Sequence, residues 1–180
     1  MAIKSTIFKA DIQISDMDRH YYHDHSLTLA RHPSENDERM MLRLLAFAQH
    51  ASDRMSFTKG ISTEDEPDLW QKSLSSEIEV WIDLGQPDEK RIRKACGRAK
   101  KVFIYTYNYR SALAWWEQIR NRLSRFDNLS VIVIPDLEMQ TMGNMAERGM
   151  QLQYTIQDGE TLLSNGKLSV TIEPEKFTKT

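Results

Sequence analysis

EIEVWIDLGQPDEKRIRKACGRAKKVFIYTY, residues 77–107, is the stretch on which the fold class turns. Residues 77–84 alternate: Ile78, Val80, Ile82 and Leu84 fall on one face, Glu77, Glu79, Trp81 and Asp83 on the other. That is the period of a strand. Faces of such different character predict that the first packs into a core and the second meets water, a ligand or a metal. Pro87 suits a first helical position, where its missing N–H is not needed. Asp88 and Glu89 behind it favour the positive end of a helix dipole. The helix expected from there to about Lys100 carries a stripe of Ile92, Ala95, Cys96 and Ala99. The run VFIYTY, beginning at Val102, is β-branched and aromatic and reads as a buried strand.

Downstream, SALAWWEQIRNRLSRF (residues 111–126) reads as a helix, and LSVIVIP (residues 129–135) as a second buried strand that Pro135 ends. Upstream, a short strand is expected around Pro67–Trp70. Before it, Pro33 and Ser34 offer a stop and an N-cap, and Glu35, Asp37 and Glu38 place acids in a first turn. ERMMLRLLAFAQHA then sets Met41, Leu42, Leu45 and Ala48 on one helical face. The opening STIFKADIQISDMDRHYYHDHSLTLARHP predicts two strands, one alternating from Ile7 to Ile14 and one from Ser26 to Ala30. The tail MQLQYTIQDGETLLSNGKLSVTIEP holds three alternating stretches divided by Asp158-Gly159 and Asn165-Gly166, both hairpin signals. Strands alternating with helices in the middle predict a single α/β domain over residues 1–180. Its mixed central sheet, flanked by helices, is expected at about residues 33–135, with an added layer of antiparallel strands from residues 1–31 and 146–173.

The chain has 24 Lys and Arg against 26 Asp and Glu, a net charge of −2. The whole molecule is no polycation, so affinity for nucleic acid must come from a local patch. Lys90, Arg91, Arg93, Lys94, Arg98, Lys100 and Lys101 crowd one segment, although such a run also suits a solvated helix face. Cys96 is the lone cysteine, which excludes an internal disulfide and a cysteine-rich zinc site. MAIKSTIFKADIQI alternates instead of offering a continuous apolar stretch, and no run reaches membrane-spanning length. The expected location is cytoplasmic, with no membrane partner. His23 and His25 share a strand face, but with no third ligand placed they read as polar strand residues. Trp115-Trp116 reads as one core residue and a partly exposed neighbour.

A turn centred between Ser75 and Ser76 sets Asp68 opposite Asp83, Leu69 opposite Ile82 and Trp70 opposite Trp81. Two carboxylates directly across a hairpin repel each other. A divalent cation between them reverses the sign, and Mg²⁺ commonly takes one or two protein carboxylates, completing its shell with water and phosphate. With Leu45 at the centre of its helix's apolar stripe, Glu38 falls roughly 20° away at 100° per residue. There it either serves the helix dipole at the rim or joins the two aspartates.

The blocks LTLARHPSENDERMMLRLLAFA, DEPDLW, WIDLGQPDEKRIRKAC and TIQDG, in this order, closely resemble the YaeQ family. EPDLW followed by WIDLGQPDEKRI resembles the core of the PD-(D/E)XK nucleases. The similarity runs from IKSTIFKADI to TIQDG and implies a nuclease-like core with extra strands. It also implies a metal site, in which Pro67-Asp68 match the "PD", Asp83 matches the "D/E", and Glu38 matches a glutamate on the preceding helix. The departure is at the lysine, where Gly85 stands. In the nucleases that lysine orients the attacking water and stabilises the charge of the transition state. Gln86 and Lys90 are the candidates to replace it, although alternation aims Gln86 at the opposite face and Lys90 lies away from the apolar stripe. The resemblance thus implies a nuclease dependent on Mg²⁺ or Mn²⁺, acting on phosphodiester bonds, with Asp68, Asp83 and Glu38 as ligands. The alternative is a catalytically inactive relative that binds nucleic acid or a protein.

Overall fold

The computed structural model describes residues 4–59 and 65–178. In chain order its elements are β1 (Thr6–Asp16), β2 (Tyr21–Arg31), α1 (Asp37–His50), β3 (Met55–Phe57), β4 (Leu69–Lys72), β5 (Ile78–Leu84), α2 (Glu89–Arg98), β6 (Ala99–Thr106), α3 (Tyr109–Leu123), β7 (Leu129–Val133), α4 (Asp136–Asn144), β8 (Gly149–Gln157), β9 (Glu160–Ser164), β10 (Ser169–Ile172) and β11 (Glu175–Phe177). They fall into two compact units, Met1–Gln49 with Leu137–Pro174 and His50–Asp136 with Glu175–Thr180. Each unit contains one mixed sheet.

In the first unit the strand order is β10-β9-β8-β1-β2. Alternation along β1 buries Phe8, Ala10, Ile12 and Ile14, joined by Leu152 and Tyr154 of β8 and Leu163 of β9. Helix α1 packs against this sheet. The Phe47 ring meets His25 edge-on at 5.2 Å, Arg43 Nη2 donates to the Ala30 carbonyl at 3.2 Å, and Gln49 Nε2 donates to Thr161 Oγ1 at 3.0 Å. The helix therefore goes with the terminal strands, and the boundary expected near residue 33 falls after Gln49. Its cap is Asn36 and not Ser34: Asn36 Oδ1 accepts from the Arg39 N–H at 2.8 Å, satisfying a donor the helix leaves open.

Strand β2 begins at Tyr21, earlier than its own residues suggested, because β1 pairs with it continuously from Thr6 opposite Arg31 to Asp16 opposite Tyr21. The added layer is also not wholly antiparallel. Strands β1 and β8 run parallel, from Lys9 beside Gly149 to Asp16 beside Ile156, a pairing that a long connection makes possible. Both tail turns stand where the dipeptides put them. Asp158 and Gly159 take φ of 53° and 78°, as a two-residue type I′ turn requires. Asn165 Oδ1 accepts from the N–H groups of Lys167 and Leu168.

In the second unit the order is β11-β7-β6-β5-β4-β3. Strands β5, β6 and β7 run parallel, so residues 77–107 form a strand–helix–strand crossover as their pattern predicts. The apolar stripe of α2 joins Trp81, Val102, Ile104, Trp116 and Leu123 in the core. Trp115 is half-buried and its indole N–H donates to the Pro87 carbonyl at 2.8 Å. Between β4 and β5 the expected register holds, with Leu69 opposite Ile82 and Trp70 opposite Trp81. Elements β3, β11 and α4 are additions to the expected order. Among the described residues, no helix is long and apolar enough to cross a membrane.

Candidate functional site

The β4–β5 register brings the two aspartates together at the sheet end. Asp68 donates its N–H to the Ile82 carbonyl at 3.0 Å, and its Oδ2 accepts from the Leu84 N–H at 2.9 Å. Both side chains are buried, Asp68 at 6% exposed and Asp83 at 2%. The expectation of an open face on the Asp83 side of β5 is therefore corrected. The chain leaves β5 through Gly85, at φ 100°, and α2 folds back so that Ile92, Ala95 and Cys96 pack with Trp81 on that face.

The same fold-back supplies a cation. Asp88 caps α2, its Oδ1 accepting from the Arg91 N–H at 2.8 Å. That fixes the first turn, from which the Arg91 side chain reaches back to β5. Its Nε donates to Asp83 Oδ2 at 2.9 Å and its Nη2 to Asp83 Oδ1 at 3.0 Å. The Nη2 group also donates to the Glu66 carbonyl at 2.8 Å, and the Trp81 indole N–H adds a bond to Asp83 Oδ2 at 3.1 Å. This is the fork geometry in which guanidinium and carboxylate bind most strongly.

Burial pushes the Asp83 carboxyl above the usual carboxylate range, further than the bonds and charge of Arg91 pull it down, and the negative charge of Asp68 adds to the rise. A carboxylate in a dry site loses more by desolvation than one partner returns.

Of the replacements expected for the missing lysine, neither stands at the acids. Gln86 is exposed and donates to Ser111 Oγ at 2.8 Å; Lys90 is exposed on the outer side of α2. The cation at the pair is Arg91, a member of the basic segment that includes Lys90 and Arg93. Its signal was the spacing of Asp88 and Arg91, a cap and the third residue of the helix behind it. Glu38 lies on α1, in the other unit from Asp68 and Asp83. There it is half-buried, and its Cγ fills the space at Gly143, where an added Cβ would come within 2.7 Å of it. The acid of this region that takes strong partners is Glu35, buried between Arg39 and Arg43 at 2.6 Å from each.

Both Asp83 oxygens are bonded, and among the described residues no group of three or more His, Cys, Asp or Glu side chains stands ready to hold a metal ion. The residues at the pair fit an arginine better than Mg²⁺. Elsewhere in the basic segment, Arg93 pairs with Glu89, Lys94 with Asp65 and Lys100 with Glu77, all of these cations exposed. His25 bonds the Tyr21 hydroxyl at 2.7 Å and His23 packs on the Tyr21 ring.

Residues 1–174 match the model of the family described as YaeQ protein. The YaeQ protein of Salmonella typhi is 47% identical over 173 residues, covering 96% of each chain. That of Escherichia coli (strain K12) is 47% identical over 172 residues, covering 96% of this chain and 95% of its own. The crystal structure of the YaeQ protein from Xanthomonas axonopodis pv. citri superposes with a TM-score of 0.92 at 46% identity, over 96% of this chain and 97% of that one. The one from Pseudomonas syringae gives 0.92 at 29% identity, over 97% and 96%. The family match spans nearly the whole length and the fold is shared to the same extent: this chain belongs to the YaeQ protein family.

Proposed function

We propose that this chain is a PD-(D/E)XK-type, nuclease-like protein that binds nucleic acid without hydrolysing it, its carboxylate pair satisfied by Arg91 in place of a magnesium ion. The observation that carries this reading is the two-bond fork from Arg91 to Asp83. A guanidinium is charged at every accessible pH, so one of the two charges that a metal would neutralise is already paired. Both Asp83 oxygens and Asp68 Oδ2 already accept hydrogen bonds. Gly85 at the lysine position removes the group that would aim a water in the nucleases. Binding is supported by exposed cations at α2 and the start of β6, including Lys90 and Lys101. The pairs made by Lys94 and Lys100 join partners that are more than half exposed. Such pairs are worth about 0–1 kcal/mol, little enough for a phosphate to displace the acid.

The test is binding to labelled duplex and single strands across a salt series, with parallel incubation in Mg²⁺ or Mn²⁺. Affinity should fall linearly in log K against log salt with no strand cut. Lys90→Ala together with Lys101→Ala should reduce the slope by about 2. Cutting that Asp83→Ala abolishes would overturn the reading. Absence of binding at low salt would remove nucleic acid as the partner and leave a protein in its place.

A second reading, a metal-dependent phosphodiesterase, is favoured by one observation: Asp68 lies close enough for its charge to raise the Asp83 carboxyl. Divalent cations relieve like-charge pairs of this kind. It predicts that Mg²⁺ or Mn²⁺ raises the thermal midpoint of the wild-type chain, whereas the arginine-held pair predicts no shift.

A further inference from the structure

The outer face of the first unit's sheet carries a groove that takes no part in the carboxylate site. Its volume is about 570 Å³, within the range of small-molecule pockets. Strands β2, β1 and β8 form its floor, and the β9–β10 connection at Asn165 and Gly166 lines one side. The two-residue period of a strand explains the lining. Ile12 and Leu152 are buried on the inner face, whereas Asp11, Gln13, Gln151 and Gln153 point outward.

The register sets these outward residues in two rows. One runs Ser26, Asp11, Gln151; the next runs Asp24, Gln13, Gln153, Ser164. In the first, Ser26 Oγ donates to Asp11 Oδ1 at 2.7 Å and Gln151 Nε2 to Asp11 Oδ2 at 2.9 Å. In the second, Gln153 Nε2 donates to Gln13 Oε1 at 3.2 Å. The Asp11 carboxylate fixes the amide end of Gln151, and exchanging donor and acceptor between Gln13 and Gln153 would leave the same groups over, one amide donor and one carbonyl. Gln13 Nε2 remains as a donor, while Gln151 Oε1, Gln153 Oε1 and the Asp24 carboxylate remain as acceptors.

That mixture selects the ligand. An anion such as phosphate brings acceptors and negative charge to a groove lined by Asp11 and Asp24 and by no lysine or arginine. A polyamine brings donors only, and leaves the Gln13 amide N–H without an acceptor. A hydroxyl is donor and acceptor at once, and neighbouring hydroxyls on a ring match the two-atom ends of an amide or carboxylate. An aromatic surface stands beside the rows. Tyr22 is 55% exposed, on the same face of β2 as Asp24 and opposite Ser15, one step along the strands from the second row. Its ring offers an apolar face to the C–H side of a sugar and a polar tip to water.

We propose that this groove binds a saccharide, with Gln13, Gln153 and Asp24 taking its hydroxyls and Tyr22 stacking on one ring. The site is independent of the carboxylate pair and does not rest on the reading given for it. The full-length chain should be probed on a printed glycan array. Side-chain amide signals of the ¹⁵N-labelled chain should then be followed during titration with the glycan that is retained. The expected result is retention on one class of glycan with shifts at the groove glutamines. Affinity should fall by about tenfold or more in Gln13→Ala/Gln153→Ala and separately in Tyr22→Ala, with thermal midpoints unchanged because all three side chains are exposed. The proposal is overturned if no glycan is retained, or if retention survives both variants. It is equally overturned if spermidine or an RNA oligonucleotide moves the same amide signals and no glycan does.

Discussion

Two buried carboxylates, one in each unit, are held by arginine in opposite ways. Glu35, just before α1, has a side chain 1% exposed and gives one oxygen to each of two arginines, Oε2 to Arg39 and Oε1 to Arg43. Asp83 gives both oxygens to a single arginine and has a second acid, Asp68, beside it. Around Glu35 the cations are in excess, and the result is a clamp that ties the residues before α1 to its first two turns. Around the Asp68–Asp83 pair the acids are in excess, and the Asp83 carboxyl is pushed up. Titratable groups under that kind of load are found where proteins bind and react more often than where they are merely held together.

The comparison breaks most readily at its stronger end. Glu35→Ala leaves Arg43, with a side chain only 7% exposed, without its carboxylate. A loss of about 3–5 kcal/mol is expected, as for breaking other buried ion pairs from one side. Urea unfolding measures it, and a loss below about 1 kcal/mol would mean that the Glu35 cluster is not structural. Arg91→Leu should come next, at about 3 kcal/mol, the lower end of the same range because the Arg91 side chain is 26% exposed. Adding Asp83→Leu to that variant should recover part of the loss, since the buried charge left unpaired is then gone as well. A double variant no more stable than the single one would show that packing, and not charge, sets the effect.

How much of this was legible in the sequence differs between the two units for physical reasons. The β4–β5 register and the turn at Asp158-Gly159 follow from neighbours a few residues apart, and local spacing is enough to read them. Strands β3 and β11, three residues each, are too short to show a period and exist because a longer strand offers them an edge. Alternation separated Asp83 from the apolar face of β5 correctly, but it cannot tell a polar residue facing water from one facing an arginine folded back over the sheet. That distinction depends on where α2 lies, and α2 is placed by Trp81, Ile92 and Trp116 packing together. The same limit hid Arg91, which looked like one cation among seven in a basic run. Glu35 and Glu38 both read as acids of the first turn of α1, yet only contacts with Arg39 and Arg43 decide which of them is clamped.

A pH series sharpens the contrast where mutation is blunt. Burial raises the Asp83 carboxyl above its ordinary value of 3.8 in spite of Arg91. A group whose folded pKa is raised contributes stability that is fully present below its unfolded pKa and lost as pH rises through the folded one. The stability of the wild type relative to Asp83→Asn should therefore decline upward from about pH 3.9 and level off once Asp83 is ionised. Urea unfolding of the two chains at matched pH values measures the difference, in which the other carboxylates cancel. A difference that grows with pH would mean that Arg91 outweighs burial, and Asp83 would then be an ordinary paired acid.

The smallest effect on stability is expected from Asp68→Asn, and it is the most specific. Asparagine keeps an oxygen able to accept the Leu84 N–H that now donates to Asp68 Oδ2 at 2.9 Å. Removing the charge relieves Asp83 but also withdraws an attraction from Arg91, whose charge Asp68 helps to hold. The two changes oppose each other, so the net loss or gain should stay within about 0.5 kcal/mol. The pH profile should move all the same. With one of the raising influences gone, the decline assigned to Asp83 should shift to lower pH, while a substitution near Glu35 leaves it in place. An unmoved profile would mean that burial alone raises Asp83, and that the second acid is not what separates it from Glu35.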